Sequence, residues 1–166
     1  MTSQPKAILA PTSMQFNILT LAAAITAAIA ATTAASVGWP VWAMFMGWVA
    51  FFTRGHSAKE ALFSYLCLAI GVAFGMGAAL AVGQLVPLIG PFAFGLVVFV
   101  VAIIVVSLRA VPHLNNVPSY FLGLITFFAA HLEPGVLVFS ELAAVSGLGS
   151  FAAWLAHSWQ TKIMRR

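Results

Sequence analysis

Six apolar runs, each about 13–24 residues long and almost free of charge, fill this chain and leave only short polar connections between them. Such runs cannot coat a water-soluble body. Charged residues make up 6% of the 166 positions and hydrophobic residues 63%, where a soluble domain carries about 25% charged residues. Lipid is the solvent that fits. Within it, backbone polar groups must be paired inside the protein, which leaves helices or a closed barrel. The runs do not alternate apolar with polar residues, so helices are expected.

The runs are Met14–Ala35, Pro40–Thr53, Lys59–Val82, Pro91–Leu108, Pro118–Ala130 and Pro134–His157. The first is too long for a cleaved signal peptide and reads as a retained span. Ser57-Ala58-Lys59-Glu60 has the pattern of a capping box, and Pro91 suits a first helical turn. The second and fifth runs would reach only about 20 Å as helices, against a hydrocarbon core of roughly 30 Å.

The formal net charge of +4 could suggest nucleic acid, but Lys6, Arg54, Lys59, Arg109, Lys162, Arg165 and Arg166 form no basic face. They flank apolar runs, and if all six runs cross the membrane, all seven fall on the side of the N-terminus. Glu133 lies opposite. An excess of Lys and Arg marks the cytoplasmic side, so both termini are expected there. The tail from Lys162 fits an anionic lipid surface. Trp39, Trp42, Trp154 and Trp159 near the ends of runs read as interfacial anchors.

Sliding the chain 76 positions along itself brings Phe45 onto Phe121, Gly47 onto Gly123 and Phe51-Phe52 onto Phe127-Phe128. Further on it brings Phe63-Ser64 onto Phe139-Ser140, Leu66 onto Leu142 and Gly71 onto Gly147. The chain therefore reads as an all-α membrane protein of six transmembrane helices in two three-helix repeats, 14–82 and 90–158. These are flanked by a segment 1–13 and a basic tail 159–166. An odd number of crossings per repeat inverts one repeat relative to the other, a plan that many transporters use. Small residues recur at helical spacing, as Ala43/Gly47, Ser119/Gly123 and Gly71/Gly75, with Gly147 as the repeat mate of Gly71. They point to close helix packing.

The stretch from Val37 to Trp159 resembles the YcdZ-like family of uncharacterised bacterial inner-membrane proteins. The resemblance is carried by Gly38-Trp39, the Phe52 end of the second run, Val117-Pro118-Ser119-Tyr120-Phe121-Leu122-Gly123, and Thr126-Phe127. It implies a bacterial inner-membrane location and brings no activity or catalytic residues.

Glu141 is the acid set deepest in an apolar run. An intramembrane carboxylate is a functional candidate by default, either in proton coupling or as a neutral group bonded to Ser140 or Tyr65, the latter its repeat mate. Phe51-Phe52 and Phe127-Phe128 could form two aromatic constrictions in a solute path, with Thr53 and Thr126 beside them. The alternative is plain packing or lipid contact. His56, His113, His131 and His157 lie near run ends and read as loop or interfacial residues. They form no metal-ligand pairing, and Asn115-Asn116 reads as a helix cap. The single cysteine, Cys67, excludes an internal disulfide and reads as a buried small residue. The chain contains no Asp, nucleotide loop or hydrolase elbow, so no enzyme, cofactor or metal is expected. The expected activity is a channel or facilitator for a small neutral or weakly polar solute, built as a homo-oligomer in lipid. A proton-coupled carrier using Glu141 and a non-transporting scaffold subunit are the alternatives.

Overall fold

The computed structural model describes residues 13–164. Lys6, Arg165, Arg166 and most of the 1–13 segment lie outside them. Six α-helices form among the described residues: α1 (Ser13–Ser36), α2 (Val41–Phe52), α3 (Ala58–Ile89), α4 (Phe92–Ser107), α5 (Val117–Ala130) and α6 (Val136–Met164). A short 3-10 turn, Leu108–Ala110, follows α4. No strand occurs among the described residues. Spans of 19 to 32 residues at Met14–Ser36, Ala58–Ile89, Phe92–Ala110 and Val136–Met164 are long and apolar enough to cross a membrane, while α2 and α5 are shorter apolar helices. The outer faces match that solvent: Phe92, Phe94, Phe99, Val136 and Leu137 are among many large apolar side chains left exposed. A contiguous apolar surface on this scale needs lipid or protein against it.

Two helices run past their expected ends. The third was expected to stop at Val82, yet α3 continues through Pro87 to Gly90, where φ is +59° and the Gly90 N–H bonds to the Val86 carbonyl. Pro87 lies in the last turn, and the carbonyl its ring would crowd belongs to Gly83, where no side chain adds to the crowding. The sixth run continues to Met164, so residues 159–164 of the expected tail belong to α6. The Ser57 side chain accepts the Glu60 N–H and starts α3 with half of the capping box.

Contacts set the directions. From Asn116 beside Ser64, through Tyr120 at Gly71, to Phe127 at Gly75, α5 advances as α3 advances, so the two are parallel. From Met44 at Gly149 to Phe51 beside His157, α2 and α6 are likewise parallel. The α3–α5 and α2–α6 pairs are the two most extensive helix–helix interfaces. One end of the bundle gathers Arg54, His56, Lys59, Glu60, His113 and His157. There Arg54 pairs with Glu60 and donates to the His113 carbonyl at 3.1 Å, and the rings of His56 and His157 lie 4.8 Å apart. Lys162 continues α6 beyond that end, where Gln160 reaches the Leu19 carbonyl early in α1. The turns at Val37–Pro40 and His131–Gly135 occupy the other end.

The interfaces are held at backbone distance. A Cβ on Gly47 would fall on the carbonyl of Ser146, and one on Gly149 on the carbonyl of Met44. A Cβ on Gly123 would fall on the carbonyl of Leu68, and one on Gly71 on the carbonyl of Tyr120. Helices this close gain dispersion contacts along their whole crossing, a main source of association in lipid.

Burial also recurs, with a correction to the sequence register. The buried positions of α2 are Ala43, Met44, Gly47, Ala50 and Phe51. Those of α5 are Ser119, Tyr120, Gly123, Thr126 and Phe127, each displaced by 76. In α3 the buried set includes Ser64, Cys67, Leu68, Gly71, Val72, Gly75 and Ala78. Its match in α6 is Leu142, Val145, Ser146, Gly149, Ser150, Ala153 and Ala156, displaced by 78. The difference arises because α5 has 14 residues and α2 has 12. By burial, Gly71 matches Gly149 rather than Gly147, and the same displacement sets Tyr65 against Ala143 rather than Glu141. Ser64 is buried while Ser140, its mate in the uncorrected register, is exposed.

Candidate functional site

At the charged end, where α2 stops and α5 starts, four polar side chains meet between α2, α3 and α5. The Asn116 Nδ2 donates to Thr53 Oγ1 at 2.7 Å and to Ser64 Oγ at 2.9 Å. Thr53 Oγ1 lies 2.6 Å from the Ala50 carbonyl, which takes its proton, and 3.0 Å from Ser119 Oγ. With the Thr53 proton committed, Ser119 is the donor in the last contact, and the Asn116 amide must present its nitrogen to Thr53. Asn116 is 4% exposed, and its Oδ1 is buried with no hydrogen-bond partner among the described residues.

Local structure explains how these groups arrive. Asn116 holds the N-cap position of α5, but its side chain makes no capping bond, which corrects the reading of Asn115-Asn116 as a cap. The Ser119 N–H returns to the Asn116 backbone carbonyl instead, and Pro118 has no N–H to satisfy. The amide is thereby free to turn inward. His113 precedes it with φ of +70°, an uncommon backbone for a residue with a side chain, and its carbonyl receives Arg54. That bond straps the α2–α3 turn to the segment leading into α5, one residue on from Thr53 and three residues before Asn116.

The corrected register gives Ala129, Leu142, Pro40 and Ala43 as the counterparts of Thr53, Ser64, Asn116 and Ser119. Polarity at this position is confined to one end of the molecule. In the sequence these four residues stand where the 76- and 78-residue displacements pair a polar side chain with an apolar one.

The other residues singled out from sequence are spread widely. Phe51 and Phe127 are 0% and 3% exposed and pack in the core, whereas Phe52 and Phe128 are 48% and 41% exposed. Each pair meets edge-on, with ring centroids 4.9 and 5.4 Å apart. Neither buried ring lines either of two grooves on the bundle. One groove, of about 440 Å³, lies between the first turns of α3 and the middle of α6, and is lined by Tyr65, Gly147, Ser150, Phe151 and Trp154 among others. The second, of about 410 Å³, lies between α3 and α4. Thr126 is buried and bonds back to the Leu122 carbonyl at 2.7 Å.

Tyr65 donates to the Ala143 carbonyl at 3.1 Å and Ser140 to the Leu137 carbonyl at 2.8 Å. Neither bonds to Glu141, which is half-buried and has no hydrogen-bond or ion-pair partner among the described residues. Ala43 accepts a bond from Ser146 Oγ through its carbonyl at 3.3 Å. Gly75 packs against the Phe127 ring, and Gly147 against Tyr65. Cys67 is buried beside Val105 and Tyr120, and the Tyr120 hydroxyl donates to the Leu114 carbonyl at 2.9 Å. No group of three or more His, Cys, Asp or Glu that could hold a metal occurs among the described residues.

A family model described as a protein of unknown function, DUF1097, matches residues 20–157. No curated protein and no solved structure matches the chain.

Proposed function

The chain belongs to the DUF1097 family, and from that premise we propose that it is a non-enzymatic channel or facilitator for a small neutral or weakly polar solute. It works as a six-span protein of two inverted repeats in the bacterial inner membrane, the location implied by the YcdZ-like resemblance. The observation that carries this reading is the repeated burial pattern of α2/α5 and α3/α6 together with the opposite directions of matched helices. Short helices at equivalent places in two opposed halves are the recurrent setting of a solute path. The basic residues gathered at one end favour a cytoplasmic location for that end and for both termini. The four crossing glycines close the α2–α6 and α3–α5 interfaces at backbone distance, so in this reading the solute passes along the seam between α2 and α5 near the polar cluster. Homo-oligomerisation would cover the exposed faces of α4 and α6.

Stopped-flow light scattering on proteoliposomes, over a panel of small neutral solutes, tests the reading. Permeability above protein-free vesicles for at least one solute is expected; none for any solute refutes it. A second reading, a proton-coupled carrier, rests on the unpartnered Glu141 within a long apolar span. It predicts that Glu141→Gln abolishes the pH dependence of transport. A scaffold role would instead show itself as a stable complex with a different protein.

A further inference from the structure

The Thr53–Ser64–Asn116–Ser119 cluster holds one buried acceptor without a donor, Asn116 Oδ1, and one hydroxyl hydrogen, that of Ser64, with no acceptor among the described residues. Leaving a buried acceptor unpaired is costly, and native proteins rarely keep such a group without a use for it. The open valences come from adjacent groups, so they complement a ligand that donates and accepts within a short span, through one hydroxyl or through the N–H and carbonyl of one amide. Charge gives no reason to favour an ion. The nearest charged groups, Arg54 and Glu60, are paired with each other, and no carboxylate or ammonium belongs to the cluster. The counterpart positions at the opposite end, Pro40, Ala43, Ala129 and Leu142, offer no side-chain hydrogen-bonding group at all.

We propose that these four residues form the binding site for the transported solute, a small neutral molecule of the primary carboxamide or simple alcohol class, at the end bearing Arg54 and His113. Asn116 Oδ1 accepts from the ligand N–H or O–H, and the Ser64 hydroxyl donates to its carbonyl or hydroxyl oxygen. Thr53 and Ser119 hold the Asn116 amide in the orientation that leaves Oδ1 free. The Arg54 bond to the His113 carbonyl covers the site and must release for the ligand to enter. The inference rests on the transport reading for its purpose but not for its chemistry, so binding and passage are tested separately.

The test uses the full-length protein and acetamide as the probe. In detergent, the unfolding midpoint of the wild type is expected to rise with acetamide concentration, since a ligand that binds only the folded state stabilises it by mass action. Ser64→Ala and Asn116→Leu should lose that rise. In proteoliposomes, acetamide permeability should fall on the order of tenfold in Asn116→Leu, the effect of one lost hydrogen bond of about 1.4 kcal/mol. Ser64→Ala serves as the milder variant should Asn116→Leu fail to fold.

An acetamide-dependent midpoint that needs Asn116 or Ser64, without any transport, upholds the site and removes the transport reading. Transport of acetamide that is unchanged in correctly folded variants overturns the site and leaves the transport reading standing. A midpoint indifferent to acetamide in the wild type also overturns the site, since a fixed water on Asn116 Oδ1 would then account for the open acceptor.

Discussion

Replacing Gly123 by Ala adds one methyl at the place where α5 crosses α3. That methyl would fall on the Leu68 carbonyl and against the backbone of Gly71 and Val72. None of these atoms belongs to a side chain that could rotate away, and all sit in a helix fixed by its own hydrogen bonds. The methyl fits only if α5 lifts from α3, which opens a gap along the more extensive of the two parallel interfaces. Forcing an extra carbon into a well-packed core costs about 1–3 kcal/mol, and the lifted interface also forfeits dispersion contacts. Against this, alanine favours the helix interior over glycine by up to about 1 kcal/mol. The net expectation is a loss of about 2 kcal/mol, or roughly a 30-fold shift toward the unfolded state. Gly95→Ala on α4 is the control: nothing lies within 4 Å of a Cβ there, so only the propensity gain remains and stability should be unchanged or higher by up to about 1 kcal/mol. Reversible unfolding in mixed micelles, followed by fluorescence of the five tryptophans, measures both. A Gly123→Ala protein that unfolds at or above the wild-type midpoint would refute the backbone contact between α3 and α5.

The same assay carries further expectations. Gly71→Ala and Gly149→Ala, whose added methyls would meet carbonyls at matching positions, should lose comparable stability, and a difference above about 2 kcal/mol would contradict their equivalence. Tyr120→Phe removes the part-buried bond to the Leu114 carbonyl, in the segment leading into α5, and should cost about 1 kcal/mol; a neutral result would show that water already serves that carbonyl. His131 closes α5 with φ of +53°, so His131→Gly should raise stability by up to about 1 kcal/mol, and a loss would mean the imidazole has a role of its own. On a Cys67→Ala background, Gly55→Cys should react with an impermeant maleimide only from the cytoplasmic side and Glu133→Cys only from the other; labelling of both from one side would undo the six-span reading.

The helices were legible because lipid leaves a chain few alternatives: apolar runs bounded by Gly-Trp-Pro, Arg-Gly-His and Asn-Val-Pro almost mark their own limits. Their ends were less so. The third run loses its apolar character at Gly83 and Gln84 and meets Pro87, yet Gly83 leaves room for the Pro87 ring and the helix continues. The repeat was visible in its aromatic and glycine matches, but identity favoured the 76-residue slide throughout, whereas the longer α5 shifts the third helices by two. A two-residue shift in a helix moves a position to the opposite face, so the 76-residue slide sets the exposed Ser140 against the buried Ser64. The polar cluster was the least legible part. Thr53, Ser64 and Ser119 are ordinary hydroxyls in sequence and Asn116 an ordinary cap. Only the parallel docking of α5 on α3, a contact between distant parts of the chain, brings them together.

The crossed docking of the halves has a consequence for biogenesis. When α3 leaves the ribosome, the surface containing Leu68, Gly71 and Val72 has no mate, because α5 is not yet made, and α2 must wait longer still for α6. The nascent first half is therefore an incomplete module with two vacant seams, and α6, made after the other five helices, secures α2. A chain cut between Gly90 and Pro91 should yield fragments that are each degraded alone and rescue one another when produced together.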